Sequence, residues 1–198
     1  MSGLIAIRIT SDIEKLTKAF ARQQANVDRA IAQGLNEGGD KVRTQVRKAM
    51  REQTSLIRLN SVTSRERTVR AYGAAGGASK SGIGPVGPGS LQYQIIYNSK
   101  PTKIGEFKFS VSTGKGGGVT ALMWGVSRKF ARSFRIKGSS GIAGLRARRT
   151  DERKPIRSFD GPDLAKEAVK GRVAETFLAE SIALVPPMIE KRMARALG

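Results

Sequence analysis

Cations carry most of the chemical potential of this sequence. Arg128-Lys129-Phe130-Ala131-Arg132-Ser133-Phe134-Arg135-Ile136-Lys137 interleaves aromatics with basic residues, and Arg146, Arg148, Arg149, Arg153, Lys154 and Arg157 follow within twenty positions. Guanidinium and ammonium groups neutralise phosphates or carboxylates, and an aromatic ring set among them offers a face for a base to stack on. The same pattern has a plainer reading. Phe130 and Phe134, four apart, can anchor the segment in the core while the cations face solvent or an acidic partner. These residues are candidate contacts to a partner or to DNA, and neither reading gives them chemistry of their own.

Other chemistry is scarce. The chain has no cysteine and no histidine, which removes thiolate nucleophiles, disulfides, the usual zinc sites and imidazole acid/base catalysis. Asp151, Glu152, Asp160 and Asp163 are the nearest thing to a carboxylate cluster, but they lie in a basic stretch beside a helix start, where ion pairing and capping account for them. Neither Gly73-Ala74-Ala75-Gly76-Gly77-Ala78-Ser79-Lys80 nor Lys115-Gly116-Gly117-Gly118 has the spacing of a phosphate-wrapping loop ending in Lys-Ser/Thr. No zinc finger, RNA-recognition aromatic signature or helix-turn-helix pattern is present, so direct base reading has no support. The residues point to binding without catalysis, with no cofactor and no metal.

The charge is unevenly spread. Thirty-six Lys and Arg against sixteen Asp and Glu give +20 over 198 residues. Residues 1–60 carry +5, 61–100 carry +4, 101–161 carry +10 and 162–198 only +1. Such a field attracts polyanions or acidic protein surfaces, and half of it sits in one third of the chain. No apolar run approaches the roughly 18 residues of a membrane span, and no signal-peptide pattern opens the sequence, so a soluble chain made in the cytoplasm and without a membrane partner is expected.

These residues need elements to position them, and the length suits a single domain over 1–198. Ile5, Ile7 and Ile9 alternate, which makes 1–10 an extended arm or strand. Ser11 and Glu14 form a capping-box pattern, and the stripe Ile13, Leu16, Phe20, Val27, Ile31, Leu35, Val42, Val46 and Met50 predicts a long helix over 11–54. The stripe stays in phase across Gly38-Gly39, so the helix is expected to continue, with the glycines allowing a bend or a close neighbour. A short helical piece is expected over Ser61–Arg67. The stretch 71–90 is rich in Gly and Pro and poor in large apolar residues, and reads as a loop, either a plain linker or a segment ordered on assembly.

A sheet is expected over 91–160. Leu91, Tyr93, Ile95 and Tyr97 alternate, as do Phe107, Phe109 and Val111, and Val119 to Val126 forms an apolar run around Trp124. A turn at Lys115-Gly116-Gly117-Gly118 pairs the second and third as a hairpin. Ile142–Arg148 and Lys154–Phe159 suit a further hairpin across Thr150-Asp151-Glu152. The basic segment 128–157 therefore lies within the sheet. Pro162 near the first turn, with Leu164, Ala168, Val169, Val173, Phe177 and Leu178 as a buried face, predicts C-terminal helices over 162–198, ended or sharply kinked at Pro186-Pro187. The fold class is α+β: a long N-terminal helix, a mainly antiparallel sheet of about four strands, and C-terminal helices.

The order of these elements, with several local sequences, resembles the minor tail protein Z family, the tail-completion proteins of tailed bacteriophages. The resemblance spans most of the chain. It rests on Ala30-Ile31-Ala32-Gln33-Gly34-Leu35-Asn36 followed by Lys41-Val42-Arg43-Thr44-Gln45-Val46-Arg47, on Ser99-Lys100-Pro101-Thr102-Lys103-Ile104-Gly105-Glu106-Phe107, on Gly118-Val119, and on Arg132-Ser133-Phe134-Arg135-Ile136. The best single match is Arg149-Thr150-Asp151-Glu152-Arg153-Lys154-Pro155-Ile156 leading to Asp160-Gly161-Pro162-Asp163. The Gly/Pro loop before Leu91 and the Lys-Pro-Ile without the family's leucine depart from the pattern. The resemblance implies a virion component at the head-proximal end of the tail, a homohexameric ring around the DNA channel. It would touch the tail tube or tail terminator protein, head-tail connector proteins and the genome DNA, with no catalytic residues. A basic nucleic-acid-binding or packaging accessory protein is the alternative that charge alone suggests.

Overall fold

The computed structural model describes residues 10–71, 91–112, 117–135, 145–148, 156–158 and 160–197, with backbone alone at residues 10–22, 135, 157 and 158. Among these, α1 (Thr10–Thr54) is a single helix of 45 residues. Residues 1–9 of the expected arm, the capping-box side chains, nearly all of the Gly/Pro stretch 71–90, Lys115-Gly116 of the first expected turn and the whole of the second fall outside the described residues, while Thr10 already belongs to α1. The chain divides into two compact units, one formed by Met1–Gly39, Val69–Gln94 and Leu184–Gly198, the other by Asp40–Thr68 and Ile95–Ala183.

In the first unit the glycines of α1 explain themselves. A Cβ on Gly34 would stand 2.5 Å from the Ile189 Cα, and one on Gly38 would stand 2.9 Å from the Val185 Cα. Gly34 and Gly38 are four apart, so they share one helix face and let a second backbone approach where any side chain would collide. A Cβ on Gly39 would meet the Tyr93 ring at 2.5 Å. Close approach is therefore what the glycines provide, and α1 runs through them unbroken. Asn36 adds a paired contact with Ala71, donating to its carbonyl at 3.0 Å and accepting from its N–H at 2.9 Å.

The approaching backbone belongs to α4 (Gly171–Leu197), which carries Pro186 and Pro187 inside it. The helix does not end at them. Two prolines remove two N–H donors and strain the preceding turn, at roughly 3 kcal/mol each in a helix interior. Close packing of Val185 and Ile189 on Gly38 and Gly34 flanks that defect on both sides. The Arg192 guanidinium also holds Glu37 at 2.9 Å.

The second unit holds the sheets. Its α1 segment buries Val42, Val46 and Met50, continuing the predicted stripe. The helical piece expected over Ser61–Arg67 is shorter and earlier, α2 (Asn60–Thr63); Glu66 and Arg67 instead open β1 (Glu66–Val69), which pairs with β2 (Gln94–Tyr97). β3 (Pro101–Lys103) leads into a single 3-10 turn, Ile104–Glu106. The predicted hairpin forms from β4 (Phe109–Ser112) and β5 (Gly118–Met123), antiparallel with Phe109 opposite Ala121 and Ser112 opposite Gly118.

The apolar run Val119–Val126 is divided by a turn that its composition hides. β5 ends at Met123 and β6 (Val126–Ala131) begins at Val126, with Met123 opposite Val126 and only Trp124-Gly125 between them. Both turn residues have positive φ, 51° and 70°, the backbone that a two-residue hairpin needs to match strand twist. Glycine adopts it freely and tryptophan does not, so the turn is held from outside. Trp124 N–H donates to the Thr54 carbonyl and Gly125 N–H to Ser55 Oγ at 2.8 Å.

Past a bend at Arg132, where φ is 60°, lies a second three-stranded sheet. It comprises β7 (Ser133–Arg135), β8 (Leu145–Arg148) and β9 (Ile156–Ser158); β8 and β9 pair antiparallel, as expected of the second hairpin, and β7 adds antiparallel to β8. β10 (Asp160–Asp163) pairs with β3, so Pro162 ends a strand and is not the first turn of a helix. Its carbonyl accepts from Thr102 Oγ1 at 2.8 Å. Asp163 then caps α3 (Leu164–Ala168) by accepting from Ala165 N–H. The class is α+β, with the described strands shared among four small sheets.

One expectation about the C-terminal face needs correction. Leu164 and Val173 are fully buried and Ala168 half-buried, but Val169 is 79 % exposed, Leu178 61 % and Phe177 41 %. Ala168 to Gly171 interrupts the helical phase between α3 and α4, so a stripe counted straight through it turns away from the core.

Candidate partner-binding surface

The basic run expected at one site divides among several strands. Arg128 and Lys129 lie on β6, both exposed, opposite Ala121 and Thr120 of β5. Neighbouring strand residues point to opposite faces, so the two cations serve different surfaces. Arg128 shares the side of Ala121, and its guanidinium lies 4.9 Å from the centroid of the Trp124 ring. Lys129 shares the side of Thr120, together with Leu122 and Ser127.

Arg132 occupies the positive-φ bend, exposed, and Phe130 and Phe134 fall on different strands either side of it. Their four-residue spacing is thus no single packing face. A serine closes the bend: Ser133 Oγ donates to the Phe130 carbonyl and accepts from Val119 N–H at 2.6 Å.

β8 sorts its residues by strict alternation. Leu145 and Ala147 are buried at 2 % exposure, and Arg146 and Arg148 project from the other side. Arg148 lies 5.4 Å from the Phe134 ring centroid, and its N–H donates to the Arg132 carbonyl. The backbone register sets Arg135 opposite Leu145 and Arg157 opposite Ala147. Lys137, Arg149, Arg153 and Lys154 lie outside the described residues, as do Asp151 and Glu152. Of the remaining carboxylates, Asp163 caps α3 and accepts from Ser99 Oγ at 2.7 Å, which holds its pKa down, and Asp160 is exposed on β10.

Other charged groups, which sequence reasoning left unremarked, are interior. Glu66, with its side chain 1 % exposed, receives two 2.8 Å bonds from Arg47, stands 3.8 Å from Arg43 Nε and accepts from Tyr97 OH at 3.2 Å. Burial, reinforced by the Glu66 charge, pushes the Tyr97 phenol well above its ordinary pKa. Glu106 is held by Arg65 at 2.6 and 2.8 Å and by the Lys103 N–H. Burial opposes its ionisation, but the Arg65 and backbone hydrogen bonds prevail and keep its pKa low. Glu167 behaves alike: burial opposes its charge, and Lys170, Gln53 and Trp124 outweigh it.

The sequence also gave no sign of a groove of about 550 Å³ at the end of α1. Lys48 and Arg51 form its helical side, Leu56 and Ile57 follow them, Leu122 comes from β5, and Lys108 immediately precedes β4. Leu122 N–H donates to the Lys108 carbonyl, fixing the sheet side of the groove.

No group of three or more acidic, His or Cys residues that could hold a metal ion occurs among the described residues, and no described helix is long and apolar enough to cross a membrane. No family model, curated protein or solved structure matches this chain.

Proposed function

We propose that this protein is a structural virion component at the head-proximal end of a phage tail, completing the tail and helping to join it to the head around the DNA channel. The observation that carries the proposal is the display of Arg128, Lys129 and Arg148 as exposed cations on short, well-registered strands of a chain at +20. The buried acids Glu66, Glu106 and Glu167 are neutralised within the fold. Such a surface binds an acidic partner and performs no reaction on it. The sequence resemblance supplies the setting: a ring of copies between the tail tube or terminator and the head-tail connector, with genome DNA in its channel.

Deleting the gene and imaging the particles tests this. Heads and tails accumulating apart is the expected outcome; normal joined particles would refute it. Magnesium-dependent turnover of DNA that disappears with Asp160→Asn would refute the non-enzymatic part.

A nucleic-acid-binding role is the second reading, favoured by half-exposed Trp124 on its turn beside Arg128, a ring and a cation placed as stacking on a base requires. It predicts tight binding of free DNA by the isolated chain, with affinity falling steeply as salt rises. The tail reading predicts only weak binding that does not depend on Trp124.

A further inference from the structure

The groove at the end of α1 and the exposed face of α4 are complementary, and both belong to the second unit. Lys48, Arg51 and Lys108 surround the groove, while Leu56, Ile57 and Leu122 give it an apolar lining. Its one carboxylate, Glu52, is engaged by Arg172 at 2.8 Å. Lys129, opposite Thr120, lies on the same sheet face as Leu122. An occupant must therefore be acidic and must carry apolar side chains.

Such a surface occurs in this chain. Residues 173–190 contain Glu175, Glu180 and Glu190 and no Lys or Arg, in a protein of net +20. Within that run Leu178 and Ile182, one helical turn apart, are 61 % and 76 % exposed. Exposed Ala179 and Ala183 lie beside them and Glu175 continues the stripe. Burying such a stripe contributes about 1.5 to 3 kcal/mol for each large side chain, so its exposure marks an interface.

A copy's own groove does not take its own helix face. Val173 N–H bonds Gln53 Oε1 at 3.0 Å, which anchors the start of α4 beside the end of α1, yet Leu178 and Ile182 remain exposed. Pairing two α4 faces would set glutamates against glutamates, and pairing two grooves would set cations against cations.

We infer that the Lys48/Arg51/Lys108 groove of one copy receives the Glu175/Leu178/Ile182 face of α4 from a second copy. The contact joins two different patches, so it is head-to-tail and leaves the pair one free groove on one copy and one free helix face on the other. Repetition yields a closed ring or a filament. This deepens the proposed function by giving the ring its interface, and rests on that reading only for closure into a ring.

Sedimentation velocity of the full chain over a range of concentrations and salt tests it. The wild type self-associates, and added salt weakens the association. Lys48→Glu with Lys108→Glu removes assembly, and so does Leu178→Ser with Ile182→Ser, while thermal melts of both variants stay cooperative. Mixed in equal amounts, the two form dimers that grow no further, because each retains one intact patch. Glu175→Lys with Glu180→Lys restores assembly to the groove variant. A wild-type chain that stays monomeric at the highest soluble concentration overturns the inference, as does a groove variant that assembles like wild type. Gene deletion reads the functional proposal separately: joined particles from the deletion strain alongside an assembling wild-type chain would sink the tail role and leave the interface standing.

Discussion

At the end of α1, Arg43 and Arg47 converge on one buried carboxylate, while on β6 and β8 Arg128 and Arg148 stand at the surface beside single aromatic rings. The residue type is the same and the physical role is opposite. A buried carboxylate must be matched by cations and hydrogen bonds: Arg47 gives Glu66 two hydrogen bonds, while Arg43 stands 3.8 Å from it and bonds Thr68 and Asp40. A guanidinium at the surface costs little to keep, contributes little to folding, and remains available to another molecule. Net charge alone does not separate these populations. Burial of the partner acid does.

The largest way to break this contrast is at Glu66. Glu66→Ala leaves Arg47 without its carboxylate and Arg43 with Asp40 alone, and is expected to cost about 3 kcal/mol. Chemical denaturation would show it as a lower midpoint. Arg128→Ala and Lys129→Ala are expected to move the same midpoint by less than about 1 kcal/mol between them. Equal losses at the two places would erase the distinction. Next comes Gly34→Val, whose side chain meets the Ile189 backbone directly; overpacking of this kind costs about 1 to 3 kcal/mol and should lower the melting temperature.

Glu106 sharpens the comparison through pH. Its folded pKa lies below the unfolded glutamate value of about 4.3. Its stabilisation is therefore fully present above that value and is lost as pH falls through the folded pKa. Glu106→Gln should flatten the acid limb of the stability profile. Tyr97 has a raised pKa, so its contribution is complete below about 10 and declines as pH rises beyond that, and Tyr97→Phe should remove the decline. The smallest effect is at the surface: Arg128→Ala removes a cation from the Trp124 ring, for about 0.5 to 1 kcal/mol, with a shift in tryptophan emission as its readout.

How much of this was legible in the sequence follows from the range of the forces involved. The α1 stripe from Leu35 to Met50, the β4–β5 hairpin and the β8–β9 pairing are local patterns of period 3.6 or 2, and they form as expected. The turn at Trp124-Gly125 is not local. Thr54 and Ser55, some seventy positions earlier, hold a tryptophan at positive φ and so divide one apolar run into two strands. The helix through Pro186-Pro187 likewise depends on Gly34 and Gly38, about 150 positions away. Candidate contact residues were visible by type, since a cluster of cations shows in any sequence. Their division into opposite faces needed the strand register, and the groove at Lys48, Arg51 and Lys108 needed the tertiary fold.

On the proposed function, the exposed cations make the assembly contact while the paired ones hold the fold. Complementing a gene deletion with the charge-reversed chain Arg128→Glu, Lys129→Glu, Arg148→Glu tests it most directly, with particles scored by electron microscopy. The expected variant melts within a few degrees of wild type and yet leaves heads and tails apart. Joined, infectious particles from that variant would contradict it.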